Sequence, residues 1–332
     1  MSQQSKSIYG GQAVIEGVMF AGRHVNVTAV RRKSDEIVYY EVPRTSRNWV
    51  QKLKKIPLVR GVVGILESSA KGSQHLNFSV EAYAEDETAE EEAKKTGAEP
   101  SKAEEPKKEE KSVWSLSMIV GVAVAGVISF ILGKLVFTLV PAAVEQLLFG
   151  RYFENIVIHN LIEGAIKIAF LLTYLYIISL TPIIKRLFQY HGAEHKVISA
   201  YEAGEDLTVR NVQKYNTLHY RCGSSFIVLS VIVGVIVYSF FSWDTMWERI
   251  SLRILLLPLV LGLSYEALRF TNSLRDTPVL RYLGYPGLWL QKLTTKEPTD
   301  EQVEVSIASF NRMRELDTQY AGETQALGRS VS

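Results

Sequence analysis

The chain has 332 residues, 47% hydrophobic and 22% charged, with a formal net charge of +2, long enough for about two units of ordinary domain size. Long charge-free blocks alternate with densely charged ones, which excludes a fully disordered chain and argues against a single soluble globule. With 22 glycines and one cysteine, collagen-like and disulfide-scaffold classes are also excluded.

In chain order, Met1–Gly10 is polar and lacks the apolar core of a cleavable signal. Gly10–Gly22 holds glycines at 10, 11, 17 and 22, so the backbone there is expected to turn tightly or pack closely. Val25–Arg31 alternates Val25, Val27 and Ala29 with Asn26, Thr28 and Val30. Ile37–Val42 follows after five residues, which predicts a β-hairpin. Ser46–Lys55 and Leu58–Lys71 read as helices separated by Pro57. Glu85–Lys111 carries eleven acidic against six basic residues, a net of −5 that leaves +7 for the rest of the chain. With little to bury, this run is expected to be a disordered tether, set at residues 84–112. The basic remainder suits a face against anionic lipid. No basic stripe with interleaved aromatics is present, so nucleic acid is not an expected partner.

Four blocks approach or exceed the roughly 20 residues needed to cross a bilayer: Trp114–Val140, Ile156–Leu180, Ser224–Phe241 and Ile250–Phe270. The third is the shortest. Lys185, Arg186, Lys196, Arg210, Lys214 and Arg221 lie between spans two and three, and Arg269, Arg275, Arg281 and Lys292 at or beyond the end of span four. The two remaining loops are poor in basic residues, so both termini and the central loop are expected in the cytoplasm. Within the spans, Lys134 can snorkel to the surface, and Glu163 and Lys167, four residues apart, can pair with each other; a cavity or ion path is the functional alternative. Thr299-x-x-Gln302 fits a capping box opening a helix to about Leu316, and the last dozen residues of the chain are expected to fray.

The central loop, residues 181–223, carries the chemistry. In Gln189-Tyr-His-Gly-Ala-Glu-His-Lys-Val-Ile-Ser-Ala-Tyr-Glu-Ala-Gly204, a helix aligns His191 with His195 and places Glu194 beside them. Glu202 falls on the same face, and Gly204 is placed to stop the helix. His-x-x-Glu-His is the inverted zinc-peptidase spacing, in which two imidazoles bind Zn2+ and the carboxylate activates water. His219-Tyr-Arg-Cys222 adds a second ligand-spaced pair, so three of six histidines and the only cysteine fall within 32 residues. Two schemes stay open. His191, His195, His219 and Cys222 can close a structural site. Alternatively, two histidines and a further ligand such as Glu266 can leave a position for water, with Glu194 as general base. Cys222 read alone is equally a buried hydrophobe or a free thiol.

Gly10-Gly-Gln-Ala-Val-Ile-Glu-Gly-Val-Met19, His191-Gly-Ala-Glu-His195 with Ala200-Tyr-Glu202, His219-x-Arg-Cys-Gly223 and Thr294-Thr-Lys-Glu-Pro298 together resemble the YqhQ family of bacterial membrane proteins. The resemblance covers nearly the whole chain apart from the acidic run and departs at Tyr220, where a proline is the family pattern. It implies a multi-pass plasma-membrane protein with metal ligands at His191, His195, His219 and Cys222, and it directs attention to Glu16 and Glu67. The resulting expectation is a mixed fold. A four-helix transmembrane bundle (residues 113–180 and 224–270) carries a small α+β cytoplasmic domain built from residues 1–83, the central loop and the tail 271–332. The expected function is a metal-dependent hydrolase at the cytoplasmic leaflet or, alternatively, a scaffold for other membrane proteins with a structural metal.

Overall fold

The computed structural model describes residues 9–44, 48–96, 133, 136–137, 139–220, 222–274 and 277–329. Four strands, β1 (Gly10–Val14), β2 (Gly17–Ala21), β3 (Val25–Arg31) and β4 (Ile37–Pro43), form an antiparallel meander in sequential order. The β3–β4 hairpin pairs Arg31 with Ile37 across the five-residue connection, as its alternation predicts. The glycine-rich segment before it is a second hairpin, β1–β2, whose glycines obscure the strand pattern.

The sheet is covered on both faces. Val18, Phe20, Val25, Val27 and Ala29 pack against α5 (Pro182–Ala203) and α10 (Asp300–Arg329), while Val14, Met19 and Val30 pack against α2 (Val59–Thr96). This explains why the polar Asn26 and Thr28 are buried along with Val30. Ser309 of α10 donates to the Val18 carbonyl at 2.8 Å, and Asp317 accepts the backbone N–H groups of Arg23 and His24 at 2.7 and 2.8 Å. The Thr299–Gln302 capping box is made at the start of α10. The helix then continues past Leu316 to Arg329, into the last dozen residues expected to fray.

Two further sequence expectations change here. α1 is confined to Asn48–Leu53, and α2 runs 38 residues to Thr96, through the first part of the segment read as a tether. The acidic residues there have partners. Arg32, itself buried, meets Glu85 and Asp86 at 3.0 and 2.9 Å, and Lys33 meets Glu87 at 2.5 Å. Those pairings are invisible to composition, which registers charge but not its neighbours.

Among the described residues, two helices are long and apolar enough to cross a membrane: α4 (Ile156–Ser179) and α8 (Met246–Ser273). α7 (Ser225–Tyr238), where a third span is expected, has only 14 helical residues. Most of Trp114–Val140, with Lys134, lies outside the described residues; its end joins α3 (Leu139–Phe149). A four-span bundle is therefore not reached among the described residues, and the architecture is mostly helical with one small sheet. Glu163 of α4 is paired with Arg249 and Arg253 of α8, partners on another helix that its spacing from Lys167 does not indicate.

His75 of α2 is fully buried, its Nδ1 2.6 Å from the Thr28 hydroxyl and its ring edge-on to Tyr40. Burial pushes its pKa down from 6.5 to about 4. The folded state thus keeps the ring neutral where the unfolded chain binds a proton, so its contribution is complete above about pH 6.5 and is lost as pH falls toward 4. Between pH 7 and 4.5 this term costs about 2–3 kcal/mol, at about 1.4 kcal/mol per pKa unit. Thermal unfolding at those two pH values should show a smaller fall in Tm for His75→Gln than for the wild type.

Candidate metal centre

α5 starts directly after α4 at Pro182 and ends at Gly204, whose φ of 85° is the left-handed stop expected there. It carries His191, Glu194 and His195. The two imidazoles lie one turn apart, ring centroids 4.5 Å from each other. His191 Nδ1 donates to the Thr294 carbonyl at 2.8 Å, and His195 Nδ1 to the Thr217 carbonyl at 2.5 Å. A carbonyl only accepts, so the ring protons sit on Nδ1 and each Nε2 keeps its lone pair, the usual support of metal-binding imidazoles.

Cys222 Sγ lies 3.2 Å from His191 Nε2, and the donor atoms of His191, His195 and Cys222 all fall within 4.8 Å of one another. Bonds of about 2.0 Å to nitrogen and about 2.3 Å to sulfur at tetrahedral angles put N and S about 3.5 Å apart, a few tenths of an ångström from the separation that His191 and Cys222 already have. Two imidazoles and one thiolate are also donors suited to that ion. Burial holds the His195 pKa well below its ordinary value and raises that of the Cys222 thiol against the lowering effect of Ser224. His195 is therefore held in its ligand form, whereas Cys222 must release a proton on binding a cation.

Glu194 is buried beside this cluster. Burial pushes its pKa up to about 7, His191 and the Gly11 backbone N–H lower it, and Cys222 raises it. A Cβ on Gly11 would lie 2.9 Å from Glu194 Oε1 and 2.6 Å from the Met19 carbonyl. The glycine in β1 thus lets the backbone reach the carboxylate. On the other side of α5, a Cβ on Gly192 would sit 2.1 Å from the Lys296 carbonyl. The Thr294–Pro298 segment crosses α5 there, and Lys296 N–H bonds the Phe188 carbonyl at 2.9 Å.

The remaining candidates stand outside the three-residue cluster. The His219 ring centroid is 5.6 Å from that of His195, and its Nε2 is 3.7 Å from Glu202, so these two form a pair at its border. Glu16 occupies the β1–β2 turn, where Arg186 Nε meets it at 2.5 Å and Tyr190 donates to it at 3.3 Å. It ties the hairpin to α5. Glu266 is held by Arg60 Nε at 2.6 Å and joins α8 to α2. Glu67 pairs with Lys54 and Lys71 on the same side of the molecule as α1.

One residue that sequence reasoning missed is Gln291, on α9 (Tyr285–Thr294). Fully buried, it accepts the His219 N–H at 2.8 Å and donates to the His219 carbonyl at 2.9 Å and to Ser225 Oγ at 3.1 Å. Its signal was spacing: Gly287, Leu290, Gln291 and Thr294 share one helix face, and all four are buried. Replacing Gln291 by Leu leaves a buried N–H and carbonyl unpaired, and should destabilise the protein by about 1–3 kcal/mol. Thermal unfolding of the purified Gln291→Leu protein measures this directly.

Residues 56–316 match the family described as "Protein of unknown function (DUF1385)". The chain is similar to the "Uncharacterized protein YqhQ" of Bacillus subtilis (strain 168), 50% identical over 313 residues that cover 93% of each chain. No solved structure matches. The family match across most of the chain and the near full-length likeness to this relative agree with the motifs now placed around α5, and the chain belongs to the YqhQ family, whose function is not known.

Proposed function

We propose that the protein is a multi-pass protein of the bacterial plasma membrane, with both termini in the cytoplasm, and that it works as a metal-dependent hydrolase on that face. The observation that carries this reading is the His191–His195–Cys222 donor set with Glu194 buried beside it. Three protein ligands are the pattern of catalytic zinc sites, whereas structural sites use four. Membrane insertion is supported by the 24 residues of α4, about 36 Å of helix against a hydrocarbon core of about 30 Å. Exposed Leu161, Ile177, Ile254, Leu255 and Phe270 on α4 and α8 fit a lipid-facing surface.

A bound Zn2+ would polarise a carbonyl or phosphoryl oxygen and acidify a water in the remaining position. The chain supplies the rest. The carbonyls of Thr294 and Thr217 hold the two rings in their binding tautomer. The Glu194 carboxylate takes the proton of the attacking water and returns it to the leaving group. Gly11 N–H orients that carboxylate. A lipid-linked or peptide substrate fits a site reached from the cytoplasmic leaflet.

The position of His219 next to His195 favours a second reading, in which it completes a closed four-ligand site and the metal staples a scaffold. Elemental mass spectrometry of the purified protein separates the two. About one zinc per chain is expected, lost in His191→Ala/Cys222→Ser and kept in His219→Ala; loss in His219→Ala supports the staple instead. Glu194→Gln should retain its zinc yet fail to complement deletion of the gene. A folded wild type without metal overturns both readings.

A further inference from the structure

The start of α2 is fastened to α8 where the apolar stretch of α8 ends. Residues 254–265 include no charged side chain, and Glu266, the first one after them, takes Arg60 Nε at 2.6 Å and the Leu58 N–H at 3.4 Å. The packing there is close. A Cβ on Gly262 would lie 2.8 Å from the Leu58 carbonyl oxygen, and one on Gly61 2.6 Å from Tyr265 Cβ. Leu58 turns the chain at a φ of 68°, in the left-handed region that a leucine seldom enters. The turn before α2 is thus pinned at the border of the apolar stretch, and it carries α1 beside it. We propose that α1 and this turn dock on the anionic lipid headgroups of the cytoplasmic leaflet, an inference that rests on the membrane reading given above.

α1 has six residues, and none of them is buried. A helix so short is not stable in water by itself and relies on burying a face. Trp49 is 57% exposed and Ile56, just past the helix, 48%. Trp49 and Lys52, three residues apart, share one side of α1. That side has an indole to bury and a charge to satisfy, and the fold does neither.

Charge selects the surface. Residues 48–60 include Lys52, Lys54, Lys55 and Arg60 and no carboxylate. Lys54 is paired with Glu67 and Arg60 with Glu266. Lys52 and Lys55 are exposed, and among the described residues neither side chain has a hydrogen bond or an ion pair. A tryptophan beside unpaired lysines suits a helix lying in a membrane interface, where the indole enters the headgroup boundary and the ammonium groups meet lipid phosphates. With α8 inserted, headgroups lie at the level of Glu266, so lipid rather than an acidic protein is the neighbouring anion.

The test is amide hydrogen exchange, read by mass spectrometry, on the purified full-length protein in nanodiscs of phosphatidylcholine with and without phosphatidylglycerol. Phosphatidylglycerol should slow exchange in peptides covering residues 48–56 about 25-fold, about fivefold for each free lysine, and leave peptides of α5 unchanged. Lys52→Gln/Lys55→Gln should lose that gain. So should the wild type in about 1 M salt, where the screening length falls to about 3 Å. Equal exchange of residues 48–56 in the two lipids, or a gain that survives the double substitution or the salt, overturns the proposal. Carbonate washing of native membranes separates the two readings. Release of the protein overturns both, whereas a retained protein whose α1 does not respond to lipid charge overturns only the docking of α1.

Discussion

A buried imidazole N–H must find an acceptor, and an unmade hydrogen bond of that kind costs about 1–3 kcal/mol. His191 and His195 meet this constraint with carbonyls from two distant segments, Thr294 at the end of α9 and Thr217 before Cys222. Satisfying both rings therefore draws the tail and the central loop together around α5. The same two bonds leave Nε2 of each ring facing Cys222. Gln291 adds a clamp on the His219 backbone, so the loop carrying the cysteine is held from the α9 side as well. Much of the candidate site is thus a consequence of burying polar groups on one helix.

The sheet supplies the other wall. β1 reaches α5 through Gly11, whose missing side chain leaves room for the Glu194 carboxylate. On the opposite face, α2 covers Thr28 with His75, and its acidic extension docks on Arg32 and Lys33. A sheet buried on both sides can present its edge to α5 rigidly, which a two-layer hairpin would not do. Arg32 sits nearly buried between Glu85 and Asp86, a case in which pairing makes burial of a charge tolerable.

The apolar helices follow different rules. Carboxylates and guanidinium groups gather at one end of α4 and α8, and an apolar cavity extends from them. Because α4 runs without a loop into α5, the bundle and the metal centre share one nearly continuous helical element, broken only at Leu180 and Thr181. A displacement of α4 would be felt at His191 about one helix length away.

Local features were legible in the sequence wherever one element determines them. The hairpin of β3 and β4, the capping box at Thr299, the alignment of His191 with His195 and the stop at Gly204 all depend on residues a few positions apart. Long-range partners were not. Nothing local indicates that Glu266 meets Arg60, that Glu16 meets Arg186, or that the acidic run after Tyr83 finds cations on the sheet. Each is a choice among many carboxylates and many cations of equal local chemistry. Gln291 and Gly11 belong to the same class, since an amide and a missing side chain acquire a role only from what packs against them. The sequence by itself determined which residues could serve as metal donors and which segments are apolar, because composition and periodicity report donor type and helix face. Tertiary structure alone decided which donors converge, because their positions depend on packing against segments as distant in sequence as Gly11 and Thr294.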